Sequence, residues 1–349
     1  MKLLRVRPSV PGSASSPGAE TAATYNRPMP EAVEIDAQYR ATREEAGLLD
    51  RSDRARIAVT GSEAGEFLQG QLTNDVEALE PGTGCYAALL DRKGHIRADM
   101  RVLRLAPDSY LIDTEPEAGQ VVLSHLSMYK IGRDADVTET GGEERLLSLV
   151  GPRSEAIVGS PLGNEHSHRE VTLAGVECRA IRTDLGADLI VPAAAAEAVE
   201  GALRSAGAEP IEARAAEISR VESGRPRLGR EIEPDRTMPQ EAGINERAVS
   251  FTKGCYIGQE TVARLHYKGK PNRHLRLLTS AGELPEGASV SLDGRELGTV
   301  GTSVLSPARG PLALAILRRE AEPGAEVEVE APGGGTLTAL VEETPENEG

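Results

Sequence analysis

Twice along the chain, an apolar strand run is followed by a short helical pattern, three further strand runs and a second helical pattern. The first pass has strand patterns at 57–60, 85–90, 96–105 and 110–112. Helical spacing appears in Phe67, Leu68, Gln71 and Leu72, and again in Val121, Val122, Leu126 and Tyr129. The second pass has strand patterns at 146–150, 171–173, 176–181 and 189–191, with helical patterns near 156–158 and 193–204. The two openings also read alike: Val59-Thr60-Gly61-Ser62-Glu63-Ala64 against Leu149-Val150-Gly151-Pro152-Arg153-Ser154-Glu155-Ala156. Ser62 is placed to cap the first helix. The expected fold is therefore α+β, with two β-α-β-β-β-α units. Most strand pairs lack the helical crossover that a parallel doubly wound sheet requires, so that fold is not expected. The competing explanation is that short α+β units resemble one another by chance.

A further helix is predicted over 212–223, then a long polar stretch rich in Gly and Pro over 225–260. After Arg273 the pattern changes to short strands at 275–278, 289–292, 297–304, 312–317, 327–329 and 336–341, separated by Gly and Pro turns. That spacing predicts a small C-terminal β-barrel. The expected organisation is a disordered tail over 1–30, rich in Pro, Ser, Gly and Ala, and a body over 31–272. The body holds units at about 55–130 and 145–206 plus the segment 212–270, and the barrel follows over 273–345. The Glu-rich end should fray.

Composition limits the function classes. Hydrophobic residues make up 39% and charged residues 27%, ordinary values for a folded protein. The net charge of −16 argues against general nucleic-acid binding. No apolar run approaches the ~18–20 residues of a membrane span. The N-terminus meets Arg5 and Arg7 before any secretory apolar region forms, so a cytoplasmic location is expected. Cys85, Cys178 and Cys255 are far apart and form no CxxC pair, against a disulfide framework or a zinc knuckle. His166 and His168 sit close together in what reads as a polar loop without a fuller ligand set, so no metal site is expected.

The densest segment is Lys253-Gly254-Cys255-Tyr256-Ile257-Gly258-Gln259-Glu260. Its two glycines permit unusual backbone angles and close approach. Cys255 should lie at or just before a helix start with Lys253 nearby, and both features favour the thiolate. The alternative is a small buried residue in a structural turn. The octapeptide resembles the KGC-[FY]-x-GQE motif of the YgfZ family of folate-binding proteins, relatives of the glycine-cleavage aminomethyltransferase. Arg220-Val221-Glu222-Ser223-Gly224-Arg225-Pro226 resembles that family's R-x-E-x-G-x-P segment, and Pro239-Gln240-Glu241-Ala242-Gly243 its P-Q-E-A segment. Phe67-Leu68-Gln69-Gly70-Gln71-Leu72-Thr73-Asn74-Asp75 resembles the shared FLQ…TND element, so the similarity runs from about residue 35 onward.

The resemblance implies a three-lobed fold with tetrahydrofolate, or a one-carbon derivative of it, in the central opening. It implies a role in assembly or repair of iron–sulfur enzymes, with those enzymes or assembly proteins as partners. The enzymatic alternative is a folate-dependent aminomethyltransferase of one-carbon metabolism. Cys255 separates the two readings, because the transferases carry a bulky apolar residue in the corresponding segment. Glu222 takes the position of the transferase glutamate that accepts the pterin amino group and ring N–H as a matched pair. Asp99, after Gly94-His95-Ile96-Arg97-Ala98, aligns with the transferases' pair of acids. One of that pair is Ala98 here, so either Asp99 is the counterpart of the catalytic acid or that acid is missing. Cys255 and Asp99 are thus the candidate catalytic residues, and Glu222, Lys253, Tyr256 and Arg264 the candidate cofactor-binding set. The basic run Arg264, His266, Lys268, Lys270, Arg273, His274 and Arg276 would attract the glutamate tail of a polyglutamylated folate. A solvated cationic loop is the plainer explanation. Direct nucleic-acid binding is not expected, since aromatic residues are only 3% of the chain.

Overall fold

A computed structural model describes residues 32–345. The expected disordered tail over 1–30 and the frayed last residues lie outside the described residues. The chain opens with α1 (Ala32–Glu44) and β1 (Gly47–Asp50). The first unit is β2 (Ala55–Thr60), α2 (Ala64–Gln71), β3 (Thr83–Leu90), β4 (Ile96–Ala106), β5 (Ser109–Thr114), α3 (Pro116–Tyr129) and β6 (Asp136–Thr140). The second is β7 (Glu144–Val150), α4 (Ser154–Val158), β8 (His168–Leu173), β9 (Val176–Thr183), β10 (Gly186–Pro192), α5 (Ala196–Ser205) and β11 (Glu209–Pro210).

The two sheets have equivalent topology. The first runs β3-β4-β5-β2-β6, and the second runs β8-β9-β10-β7-β1 with β11 on its outer edge. Every pairing is antiparallel except that between β1 and β11. The slot that β6 fills in the first sheet is filled in the second by β1, which comes from before the first unit. The registers match: Thr60 pairs with Asp136, and Val150 with Gly47. One glycine follows each of these strands. Gly61 (φ +131°) and Gly151 (φ +139°) pass so close to the neighbouring segment that a Cβ would lie 2.2 Å from the Asp134 oxygen and 2.5 Å from the Glu45 oxygen. The shared T-G-S and V-G-P openings are thus one packing solution used twice. Ser62 does not cap α2. Its hydroxyl donates to Asp134 across this junction at 2.6 Å, and the capping position falls on Glu63.

The helix predicted over 212–223 is α6 (Ala213–Glu222), followed by α7 (Asn245–Ala248) and α8 (Gln259–Lys268). The C-terminal strands are β12 (Arg273–Ser280), β13 (Ser289–Leu292), β14 (Arg295–Thr299), β15 (Ser303–Ser306), β16 (Gly310–Arg318), β17 (Glu326–Ala331) and β18 (Gly335–Glu342). They form a seven-stranded antiparallel half-barrel in which β14 packs back across β16. The single strand expected over 297–304 is broken at 300–302. There the Thr302 N–H donates to Glu231 and its hydroxyl accepts from Arg220, so this stretch ties the half-barrel to the body while Gly301 and Thr302 keep backbone bonds to Leu314.

Each lobe has its own apolar core. Leu68, Leu89, Ile96 and Ile112 fill the first unit, Leu147, Leu189 and Val199 the second, and Leu278, Val290 and Val341 the half-barrel. Two smaller clusters join them. Leu103 and Leu111 meet Leu146, Ile181 and Ile190 between the units. Ile35, Ile218 and Val221 of α1 and α6 meet Leu275, Leu312 and Leu314 of the half-barrel. The segment after α6 packs Ile232, Ala242, Ile244 and Val262 into the first unit's core, which binds the motif region to that unit. Among the described residues no helix is long and apolar enough to cross a membrane.

Candidate functional site

A cavity of about 310 Å³ lies where the two sheets, α6 and the segment after α6 meet. That falls at the lower end of the ~300–1,000 Å³ typical of small-molecule sites. Strand alternation supplies its walls. On β4, Ala98, Met100 and Val102 contribute to the first core, while Asp99 and Arg101 turn to the opposite face. On β5, Ile112 enters the core and Asp113 the cavity.

An ion-pair network forms much of the lining. Arg101 bridges the units, meeting Asp113 on β5 and Asp188 on β10, the latter at 2.8 Å. Arg54 pairs with Asp113 at 2.6 Å and also with Glu115, while Arg51 lies 3.5 Å from Glu115. From the other side, Arg227 reaches Glu115 at 3.0 Å and Glu217 at 3.3 Å. Arg220 holds Glu217 at 2.9 Å and Glu231 at 3.1 Å. Burial alone would raise the Asp113 carboxyl, but Arg54 and Arg101 outweigh it and hold Asp113 at about 2. Glu115 and Glu217 are likewise lowered against their burial, by Arg54, Arg51 and Arg227 for the first and by Arg220 and Arg227 for the second. These acids are anions matched to guanidinium groups, which is how buried charge is tolerated.

Asp99 differs from them. It is buried, and among the described residues its one polar partner on the carboxyl is the Tyr86 hydroxyl, which donates to Oδ2. Oδ1 is buried without a hydrogen-bond partner. Burial raises its pKa, the Tyr86 bond opposes that, and nearby Glu115 raises it further. Tyr86 in turn is raised well above its ordinary value by burial and by Asp99, and its ring lies under the Arg247 guanidinium at 5.2 Å. The site therefore has one carboxyl raised by burial and left without an ion-pair partner within a field of paired charges. An unmatched buried acid in a cleft is the usual form of a general acid or base.

Of the candidate catalytic and cofactor-binding residues, only Asp99 lines this cavity, although Arg220, Arg225 and Pro226 of the R-x-E-x-G-x-P segment and His166 do as well. Glu222 is turned away from it. Ala213, Ala216, Glu217 and Arg220 form the cavity face of α6, and Glu222 lies about 200° around the helix from Arg220. Its carboxylate accepts from Tyr39 at 2.9 Å and from Ser306, with Arg43 at 3.8 Å, and so ties α1 to the half-barrel. The acid that α6 presents to the cavity is Glu217.

Lys253 is also diverted. Its ammonium is buried and donates to the carbonyl oxygens of Gln69, Leu72 and Asn74 at 2.6, 2.7 and 2.8 Å. It sits 5.2 Å over the Tyr256 ring. Burial lowers it to about 8. Lys253 thus collects the free carbonyls at the end of α2. Tyr256 is buried in the first unit's core, and its hydroxyl is raised to about 12 by burial. Arg264 is exposed and pairs with Glu260 one turn away at 2.7 Å. Cys255 is exposed, four residues before α8, whose capping residue is Gly258. It is therefore not at the helix start itself. Of the motif's two glycines only Gly258 (φ +85°) needs to be glycine, since a Cβ there would lie 2.5 Å from the Asp91 oxygen. The basic run is not one patch: Lys268 and Lys270 are exposed, whereas Arg276 is buried against Glu343 at 2.9 Å.

Sequence reasoning missed Tyr86, Arg101, Asp113, Glu115, His166 and Glu217. A usable signal existed, because Asp99-x-Arg101 puts two charges on one face within the apolar run of β4, and Asp113-x-Glu115 puts two more across the end of β5. His166 and His168 are not in a solvated loop: the first lines the cavity and the second is buried on β8. Among the described residues no cluster of His, Cys, Asp and Glu could hold a metal ion.

Comparison with known proteins agrees with this architecture. Residues 14–253 match the family model described as the GCVT N-terminal domain. An aminomethyltransferase of Herpetosiphon aurantiacus is 31% identical over 310 residues, covering 84% of this chain and 85% of the relative. An aminomethyltransferase of Streptomyces coelicolor is 31% identical, with 83% of each chain covered. The crystal structure of the glycine cleavage system aminomethyltransferase T from Bartonella henselae superposes with a TM-score of 0.79 at 25% identity, covering 89% of both chains.

Proposed function

The chain belongs to the family of the GCVT N-terminal domain, an aminomethyltransferase-like family, and from that premise we propose that it binds a tetrahydrofolate in the central cavity with the pterin end against Asp99. One observation carries the reading: Asp99 is a buried carboxyl shifted toward its protonated form, anchored through one oxygen by Tyr86 and unpartnered at the other. Such a group can exchange a proton with a ring nitrogen, and its orphaned oxygen is a vacancy that a ligand N–H would fill. Glu217 supplies a carboxylate on the cavity wall that can accept a paired amino group and ring N–H, the role the sequence had given to Glu222. Arg225, Arg227 and Arg247 also line the cavity, each paired with an acid there, so a glutamate tail would meet these guanidinium groups by sharing them with Asp184, Glu115 and Glu165.

The bound folate has two supported uses. The relatives' names support transfer of an aminomethyl group. The fully matched octapeptide supports service to iron–sulfur enzymes, and Cys255 is the one exposed cysteine of the three. We favour the second use, because the motif that distinguishes it is complete and its cysteine is open to a partner. Titration of the purified protein with tetrahydrofolate tests the shared claim, and Asp99→Asn should alter both affinity and its pH dependence. Aminomethyl transfer from a lipoylated carrier protein then separates the uses: turnover supports the transferase, and folate binding without turnover supports the accessory role. Absence of folate binding at millimolar concentration would end the proposal.

A further inference from the structure

His166 stands on the second unit's side of the cavity, in the turn that leads into β8. Its backbone has φ +67°, the left-handed region that is uncommon for residues with a side chain, although His, Asn and Asp enter it more often than others. The surroundings fix that conformation. Ser167 N–H donates to Asn164 at 3.0 Å, His166 N–H to Arg182 at 2.9 Å, and Arg182 N–H to Ser167 at 2.8 Å. A glycine would occupy this position without strain, yet the chain places an imidazole there. Across from it, β3 carries Gly84, where a Cβ would meet the Val102 oxygen at 2.6 Å and Leu103 at 2.7 Å before reaching the His166 Cβ at 3.1 Å.

The ring itself is poorly used by the protein. Its side chain is 13% exposed, and Nδ1 is buried without a hydrogen-bond partner. Nε2 lies 3.5 Å from Glu165, but that carboxylate is taken by Arg247 at 2.5 Å. Burial, with Arg101 and Arg247 next, pushes the imidazole down to about 3, so it is uncharged at neutral pH. A buried ring nitrogen left without a partner, on a residue that lines the cavity, is a mark of a ligand contact.

We propose that His166 is a ligand-contacting residue of the central cavity, offering Nδ1 to a hydrogen-bonding edge of the bound heterocycle from the second unit's side. The inference rests on the folate reading and adds to it a contact from the second unit, so that both units hold the ligand. The test compares wild type with His166→Gly, which relieves the backbone, and His166→Asn, which tolerates positive φ and keeps a polar atom near the position of Nδ1. Each is titrated with tetrahydrofolate and melted thermally. His166→Gly should bind about tenfold more weakly or worse, as expected for a lost buried hydrogen bond, while melting cooperatively within a few degrees of wild type. His166→Asn should recover affinity to within about threefold. Equal affinity in His166→Gly, or loss of its cooperative transition, would overturn the proposal, the latter by showing that the ring serves packing. Failure of the wild type to bind tetrahydrofolate would instead strike at the folate reading itself.

Discussion

Replacing Lys253 by Met should destabilise the protein by roughly 3 kcal/mol without abolishing ligand binding in the folded fraction. Methionine keeps the apolar stem and removes the ammonium that donates to Gln69, Leu72 and Asn74. The carbonyl of Leu72 belongs to a residue with no exposure, so water cannot replace the lost donor there. An unsatisfied buried acceptor costs ~1–3 kcal/mol. Gln69 and Asn74 are half-buried and can be partly rehydrated, which adds about 1 kcal/mol between them. The cation over Tyr256 contributes roughly 0.5–1 kcal/mol more. Relief from burying the ammonium offsets part of this sum, and the net stays near 3 kcal/mol only if the three carbonyls need a donor more than the ammonium needs water. Urea denaturation followed by circular dichroism reads the change as a shift in midpoint at constant slope. A loss below about 1 kcal/mol would refute the reasoning, since breaking any one buried hydrogen bond costs that much. A variant of unchanged stability but weakened tetrahydrofolate affinity would restore Lys253 to the cofactor site.

Three other outcomes follow from the same geometry. Glu217→Gln should weaken tetrahydrofolate binding by about 2 kcal/mol in isothermal titration, whereas Glu222→Gln should leave affinity within experimental error and lower the melting temperature, because only Glu217 faces the cavity. His125, His166 and His168 are held by burial at about 4, 3 and 4, below the ordinary 6.5, so the unfolded chain takes up protons first on acidification. Stability should therefore fall as pH drops from 7 toward 4, and a urea midpoint that stays flat over that interval would contradict it. Cys255 should alkylate first in the native protein near neutral pH, since burial drives Cys85 up to about 12 and raises Cys178. Mass spectrometry of labelled peptides reads the order, and earlier labelling of Cys85 or Cys178 would contradict it.

The sequence by itself determined the architecture. Period-two and helical patterns, repeated in one order, were enough to predict two α+β units and a strand-rich C-terminal lobe, because burial on one face imposes those periods locally. Gly61 and Gly151 were visible as a shared opening. The strands that were missed, β1, β6 and β11, are short or polar edge strands. β6 reads Asp136-Val137-Thr138-Glu139-Thr140 and is paired only by its neighbour β2, so no local apolar pattern marks it. That β1 completes the second sheet rather than the first depends on pairing between residues about a hundred positions apart, which local pattern does not encode.

The site divides in the same way. Asp99 was legible because its place after Gly94-His95-Ile96-Arg97-Ala98 carried a family resemblance. Lys253 and Glu222 belong to motifs, but a motif records that a residue type is required and not which way its side chain points. Tertiary packing decided that: the end of α2 claims the Lys253 ammonium, and Tyr39 and Ser306 claim the Glu222 carboxylate. The same packing brought Asp99, His166 and Glu217 to one cavity from β4, the turn before β8 and α6. Their convergence is a property of how two sheets and a helix meet, and sequence spacing alone carries no record of it.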